Sequence, residues 1–126
     1  MPSHRFSLAA AAAATTAAAI LVACADSTAP GDTVGATARG TEVTIVNRTR
    51  TPVFTFVVGA RTAALIYWGP CVDAARCAPL APGATRRDTV PEAATEGAMV
   101  YWWHAVRGPT GALEPDAVRA IPLPPR

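Results

Sequence analysis

Cys71, Cys77, Met99 and His104 are the residues whose types suggest chemistry in the second half of this 126-residue chain. Thiolate, thioether and imidazole are donors that copper favours, so an envelope metal-binding or redox domain using Cys71, Cys77 and His104 is one reading of the set. Three features oppose it. Blue-copper sites use two histidines, and only His104 lies in this half. The cysteines are spaced for a loop-closing bridge. Met99 and His104 differ by an odd number of residues, so a strand through both sends them to opposite faces. The sequence therefore predicts a Cys71–Cys77 disulfide, no metal site and no cofactor.

Elimination removes most catalysis. Ser3, Ser7 and Ser27 all lie far upstream of His104, so no serine is placed beside that base. The chain contains no lysine, which excludes Schiff-base chemistry and a phosphate-loop lysine, and no glycine fingerprint for a dinucleotide is present. Glu92 with Glu96, and Glu114 with Asp116, are the carboxylate pairs available for glycoside hydrolysis, but acids on polar loops are ordinarily just solvated. The expectation is a protein that is not an enzyme.

From residue 24 onward ten arginines face nine acids. That near balance argues against a nucleic-acid partner, which requires a basic face. The absence of lysine and glutamine, with abundant Ala, Arg, Pro, Gly and Thr, points to a GC-rich genome. Arginine usage is then weak evidence of function.

The aromatic residues are the remaining candidate surface. On a strand through 98–106, Met99, Tyr101 and Trp103 share one face, and Val100, Trp102 and His104 share the other. His104 interrupts the second face, so Trp103 is expected in the core and Trp102 partly exposed. Tyr67, Trp68 and a loop then cover that face; in the alternative, Tyr67, Trp68, Trp102 and His104 form a possible binding surface for an envelope protein or glycan, since Trp and Tyr dominate binding hot spots.

The elements that must position these residues are strands. Segment 42–47 alternates and is β-branched; 53–58 is apolar on both faces and reads as central; 64–68 reads as a third strand. Residues 69–83 form an irregular loop with three prolines and the disulfide. Segment 85–90 reads as an edge strand, because Arg86, Arg87 and Asp88 blunt edge-to-edge pairing. Residues 91–97 form a loop or a single helical turn, 98–106 is the strongest strand, and 116–121 is the last before a proline-rich tail. Short strands with frequent turn signals and no helical period predict an all-β fold, a small immunoglobulin-like β-sandwich, with a small open β-barrel as the alternative.

Upstream, residues 6–22 are apolar and uncharged, behind a head bearing His4 and Arg5. This is the pattern of a secretory signal. Leu21-Val22-Ala23-Cys24 closes the run and resembles the lipobox of bacterial lipoproteins. The resemblance implies cleavage before Cys24 and diacylation of its thiol, anchoring the protein to a membrane. It divides the chain into a signal peptide (1–23), a lipidated N-terminus and flexible tether (24–40) and a β-sandwich domain (41–126). Residues 25–40 are small and polar, and as a coil would span roughly 20–24 Å. In a host with two membranes, Ala25 after the cysteine favours outer-membrane sorting, because the retention signal in many such bacteria is Asp at that place.

Export makes an oxidised Cys71–Cys77 pair natural. The pattern Asn47-Arg48-Thr49, Cys71-x5-Cys77, Pro82-Gly83 and Tyr101-Trp102-Trp103 also resembles small uncharacterised lipoproteins of GC-rich bacteria, a likeness that brings no activity with it. The functional expectation is a non-catalytic, lipid-anchored binding or structural module of the cell envelope.

Overall fold

Alternation decides the first sheet. In the computed structural model, which describes residues 33–126, strand β2 (Glu42–Asn47) buries Val43, Ile45 and Asn47 and turns Glu42, Thr44 and Val46 outward. It pairs antiparallel with β1 (Val34–Arg39) on one side and β4 (Thr85–Thr89) on the other. Strand β1 corrects the expected extent of the tether, because residues 34–39 are part of the domain. Small side chains suit that role: Ala36 and Ala38 pack against the core without crowding it. The signal peptide, Cys24 and the start of the tether lie outside the described residues.

The second sheet contains β3 (Phe54–Gly59), β5 (Ala98–Trp103) and β8 (Arg119–Leu123), in the order β3-β5-β8 and antiparallel throughout. The two sheets face each other without closing into a barrel. Their strand orders, β1-β2-β4 and β3-β5-β8, correspond to the A-B-E and C-F-G strands of an immunoglobulin-type sandwich that lacks strand D. The inner layer contains Val43, Ile45, Val100, Trp102 and Ile121, with Leu80 and Val90 contributed by the connections.

Strand β3 is therefore an edge strand and not the central one. Its outer face is apolar because residues 64–80 cross the outside of the second sheet and cover it. The expected strand at 64–68 does not form. One helical turn, α1 (Ala60–Ala63), follows β3, and the chain then folds back so that Trp68 reaches the sheet. The alanines favour the turn, and Ala64 and Leu65 donate backbone hydrogen bonds to the carbonyls of Arg61 and Thr62.

The loop is held at three places. Val53 and Leu80 exchange backbone hydrogen bonds at 3.0 and 2.7 Å. Cys71 and Cys77 are disulfide-bonded with Cα atoms 6.3 Å apart, within the range a bridge requires. Asn47, completely buried, donates through Nδ2 to the carbonyls of Thr51 and Leu80, both at 2.9 Å, and accepts from the Thr49 N–H and hydroxyl. A buried amide is costly unless satisfied, and here each of its polar atoms has a partner.

Helix α2 (Ala93–Glu96) supplies the helical turn expected within 91–97. It ends at Gly97, whose φ of 82° is a conformation that favours glycine, and an added Cβ there would collide with the Leu123 carbonyl. The long strand expected over 98–106 breaks at His104. Beyond it β6 (Ala105–Arg107) turns away to pair with β7 (Leu113–Pro115), and β8 begins at Arg119 rather than Asp116.

Candidate functional site

Alternation along β3 and β5 builds an aromatic layer on the outer face of the second sheet. Phe54 pairs with Trp103 and Phe56 with Tyr101 across the ladder, so their rings stand side by side. Trp68 comes down on them from the covering loop, with ring centroids 4.7 Å from Phe56, 4.8 Å from Tyr101 and 5.7 Å from Trp103. The Trp103 indole N–H donates to the Cys71 carbonyl at 2.8 Å, tying the disulfide loop to the sheet.

Between this layer, the disulfide and the edge of the first sheet lies an open cleft of about 210 Å³. Its walls are Phe54, Phe56, Trp68, Trp103 and the Cys71–Cys77 bridge, and its polar rim is Arg86 with Thr55. Arg86 is opposite Ile45 in the β2–β4 ladder, so it stands on the inward face of an edge strand. From there its guanidinium crosses to the other sheet, donating to Thr55 Oγ1 at 2.8 Å and to the Ala78 carbonyl at 3.4 Å. The expected edge position of β4 is correct. The sequence offered edge protection as the reason for Arg86, whereas the side chain spans the gap between the sheets and marks the cleft.

The four residues expected to share one binding surface do not form one, although the Trp102 and His104 rings meet edge to face at 5.7 Å. Tyr67 is fully exposed, at 103 % of its reference area, on a tip with Leu65. Trp68 is half-buried in the cleft wall. Trp102 is in the inter-sheet core at 4 % exposure, which overturns its assignment as the exposed tryptophan. Trp103 is equally buried, at 3 %, but under the loop rather than between the sheets. The expected roles of the two indoles are thus reversed in place, and neither is free.

His104 follows Trp103 at the same end of the sheet, beside a broad apolar groove of about 600 Å³ walled by Val72, Pro79, Val106 and Leu113 that shares Phe54 with the cleft. Its Nδ1 is 2.9 Å from Thr51 Oγ1 and 3.1 Å from the Pro52 carbonyl. The Pro52 carbonyl can only accept, whereas the Thr51 hydroxyl can donate or accept, so Nδ1 donates in one tautomer and accepts from Thr51 in the other. Thr51 beside His104 is a juxtaposition the sequence did not suggest, because the residues are 53 positions apart.

Asp116 accepts the His104 backbone N–H at 2.8 Å and pairs with Arg119 at 3.2 Å. Burial opposes its ionisation, but the His104 hydrogen bond and the Arg119 guanidinium outweigh it and hold the carboxyl below its usual range. Arg119 in turn sits over the Trp102 ring, 4.4 Å from its centroid.

The disulfide occupies both sulfurs of Cys71 and Cys77, and among the described residues no three His, Cys, Asp or Glu side chains are gathered as metal ligands. Met99, on the outer face of β5, is remote from His104. Among the described residues no helix is long and apolar enough to cross a membrane. No protein family matches the chain, and neither a curated protein nor a solved structure resembles it closely enough to count as a relative.

Proposed function

We propose that this protein is a non-catalytic binding module of the cell envelope, held to a membrane by lipid on Cys24 and using the aromatic cleft beside Arg86. The observation that supports it best is the cleft. Its apolar walls, with few polar groups, have the composition of a ligand site, and its rim carries an arginine with no acidic partner among the described residues. The covering loop is braced by a disulfide and by the Trp103 hydrogen bond, so the walls are formed before a ligand arrives. Preorganisation of this kind lowers the entropic cost of binding.

The three tryptophans provide a built-in test. In the full chain labelled with 5-fluorotryptophan and held in detergent micelles, envelope extracts divided into glycan, peptide and small-molecule fractions are titrated by fluorine NMR. One fraction should shift Trp68 and Trp103 and leave Trp102 in place. Shifts in none of them, or equal shifts in all three, would remove the cleft as a binding site. Anchoring is tested separately: a fatty-acid probe should label the wild type in its host and not Cys24→Ala. Equal labelling of both would overturn the lipid anchor.

A further inference from the structure

We infer that the cleft takes a small organic carboxylate with a flat apolar body, its carboxylate on Arg86 and its ring against Trp68 and Phe54. This rests on the cleft being the binding site and names the class of ligand.

A guanidinium has five N–H donors, and Thr55 and Ala78 accept one each from Arg86. Three donors remain. Among the described residues the ion pairs are Arg61–Glu96 and Arg119–Asp116, so no carboxylate lies within pairing distance of Arg86. Asp88, two residues along the same strand face, does not reach it. A half-buried cation at the mouth of an apolar cleft is thus left with spare donors and an uncompensated charge.

The shape of those donors selects the anion. A guanidinium presents parallel N–H bonds matched to the two oxygens of a carboxylate. Its own hydrogen bonds to Thr55 and Ala78 hold the fork in place, so less freedom is lost when an anion docks. A phosphate dianion calls for more donors than one arginine supplies. A neutral sugar calls for several hydrogen-bonding partners, whereas the polar side-chain groups of the lining are Arg86, Thr55 and the indole N–H groups of Trp68 and Trp103, of which Thr55 already serves Arg86 and Trp103 the Cys71 carbonyl. The remaining walls are aromatic rings and a disulfide, which receive a planar hydrocarbon surface, and about 210 Å³ accommodates one ring with a short side arm.

The test uses the fluorotryptophan-labelled full chain with two matched probes, phenylacetate and phenylacetamide, which differ in charge and little in shape. Phenylacetate should shift Trp68 and Trp103 and leave Trp102 unmoved, and the amide should bind about tenfold more weakly or worse, the usual scale for a charge-assisted hydrogen bond. Arg86→Gln should erase that preference, and Arg86→Lys should retain part of it. Equal affinity for acid and amide in the wild type would overturn the carboxylate inference while leaving the cleft a binding site. If neither probe moves Trp68 or Trp103 up to its solubility limit, the inference falls, and the envelope-fraction titration then decides separately whether the cleft binds anything. The wild-type comparison needs no variant, so it stands even if Arg86→Gln fails to fold.

Discussion

Trp102 and Trp103 are adjacent in sequence and serve two different interiors. Trp102 fills the space between the sheets, capped by the Arg119 guanidinium at 4.4 Å. Trp103 points the other way and carries the covering loop through its hydrogen bond to the Cys71 carbonyl. The second sheet is therefore covered on both faces at Trp102 and Trp103, by a sheet on one side and by an irregular segment on the other, while the outward residues of β8, Ala120 and Pro122, stay exposed.

Both indoles should consequently be costly to remove. Trp102→Ala and Trp103→Ala are each expected to lose about 3–5 kcal/mol, measured as the shift in urea-unfolding free energy. Trp103→Ala should also make residues 69–78 more susceptible to proteolysis, since it unties Cys71, whereas Trp102→Ala should loosen the contact between the sheets. A loss below about 1 kcal/mol in either variant would contradict its placement.

The disulfide acts on a short loop. Replacing both cysteines by serine should cost about 2–2.5 kcal/mol on the chain-entropy estimate, with the sandwich itself retained in far-ultraviolet circular dichroism. Loss of the β spectrum at native temperature would mean that the bridge holds the fold and not merely its cover.

Asn47 is the polar hub of the turn between β2 and β3. Asn47→Ala removes the acceptor of the Thr49 N–H, while the Thr51 and Leu80 carbonyls keep the Thr49 hydroxyl and the Val53 N–H as donors, and it is expected to cost about 1–3 kcal/mol. Asn47→Asp preserves the acceptor for Thr49 but sets a carboxylate against the Thr51 and Leu80 carbonyls, so it should be no more stable. Thermal unfolding of the two variants checks this, and a stable Asn47→Asp protein would contradict the hydrogen-bond assignment.

Asp116 links stability to pH. Its folded-state pKa lies below the ordinary value of 3.8, so the unfolded chain binds its proton more readily. Its stabilising contribution is present above the unfolded value and is lost as pH falls through the folded one. The stability difference between wild type and Asp116→Asn should be constant above about pH 5 and shrink in more acidic solution. Urea midpoints across that range measure it, and a difference that grows on acidification would reverse the assigned sign.

Strand existence was legible where local pattern and burial agree. The alternation of Val43, Ile45 and Asn47, the β-branched and aromatic run through β5, the edge position of β4 and the paired cysteines all follow from residue type and spacing. Together they determined an all-β sandwich with a stapled loop. Period-two alternation assigns residues to two faces, but it does not say which face meets the other sheet. That depends on what distant segments cover, and here residues 64–80 cover the side that the sequence reading took as core. The same cover makes an edge strand, β3, look central.

Strand β1 illustrates a complementary limit. Gly35, Ala36 and Ala38 have little intrinsic preference for a strand, and pairing with β2 supplies the order that their side chains do not. Arg86 carries the lesson to the candidate site. Its sequence neighbours explain it as a guard on an exposed edge. Its hydrogen bonds to Thr55 and Ala78 exist only once two sheets and a loop meet, because hydrogen bonding acts over ångströms in space and is indifferent to separation along the chain. Sequence alone determined β2, β3, β4 and β5, the bridge and the balance of charge; the tertiary structure decided the remaining strands, which indole lies between the sheets and where a cation meets an aromatic wall.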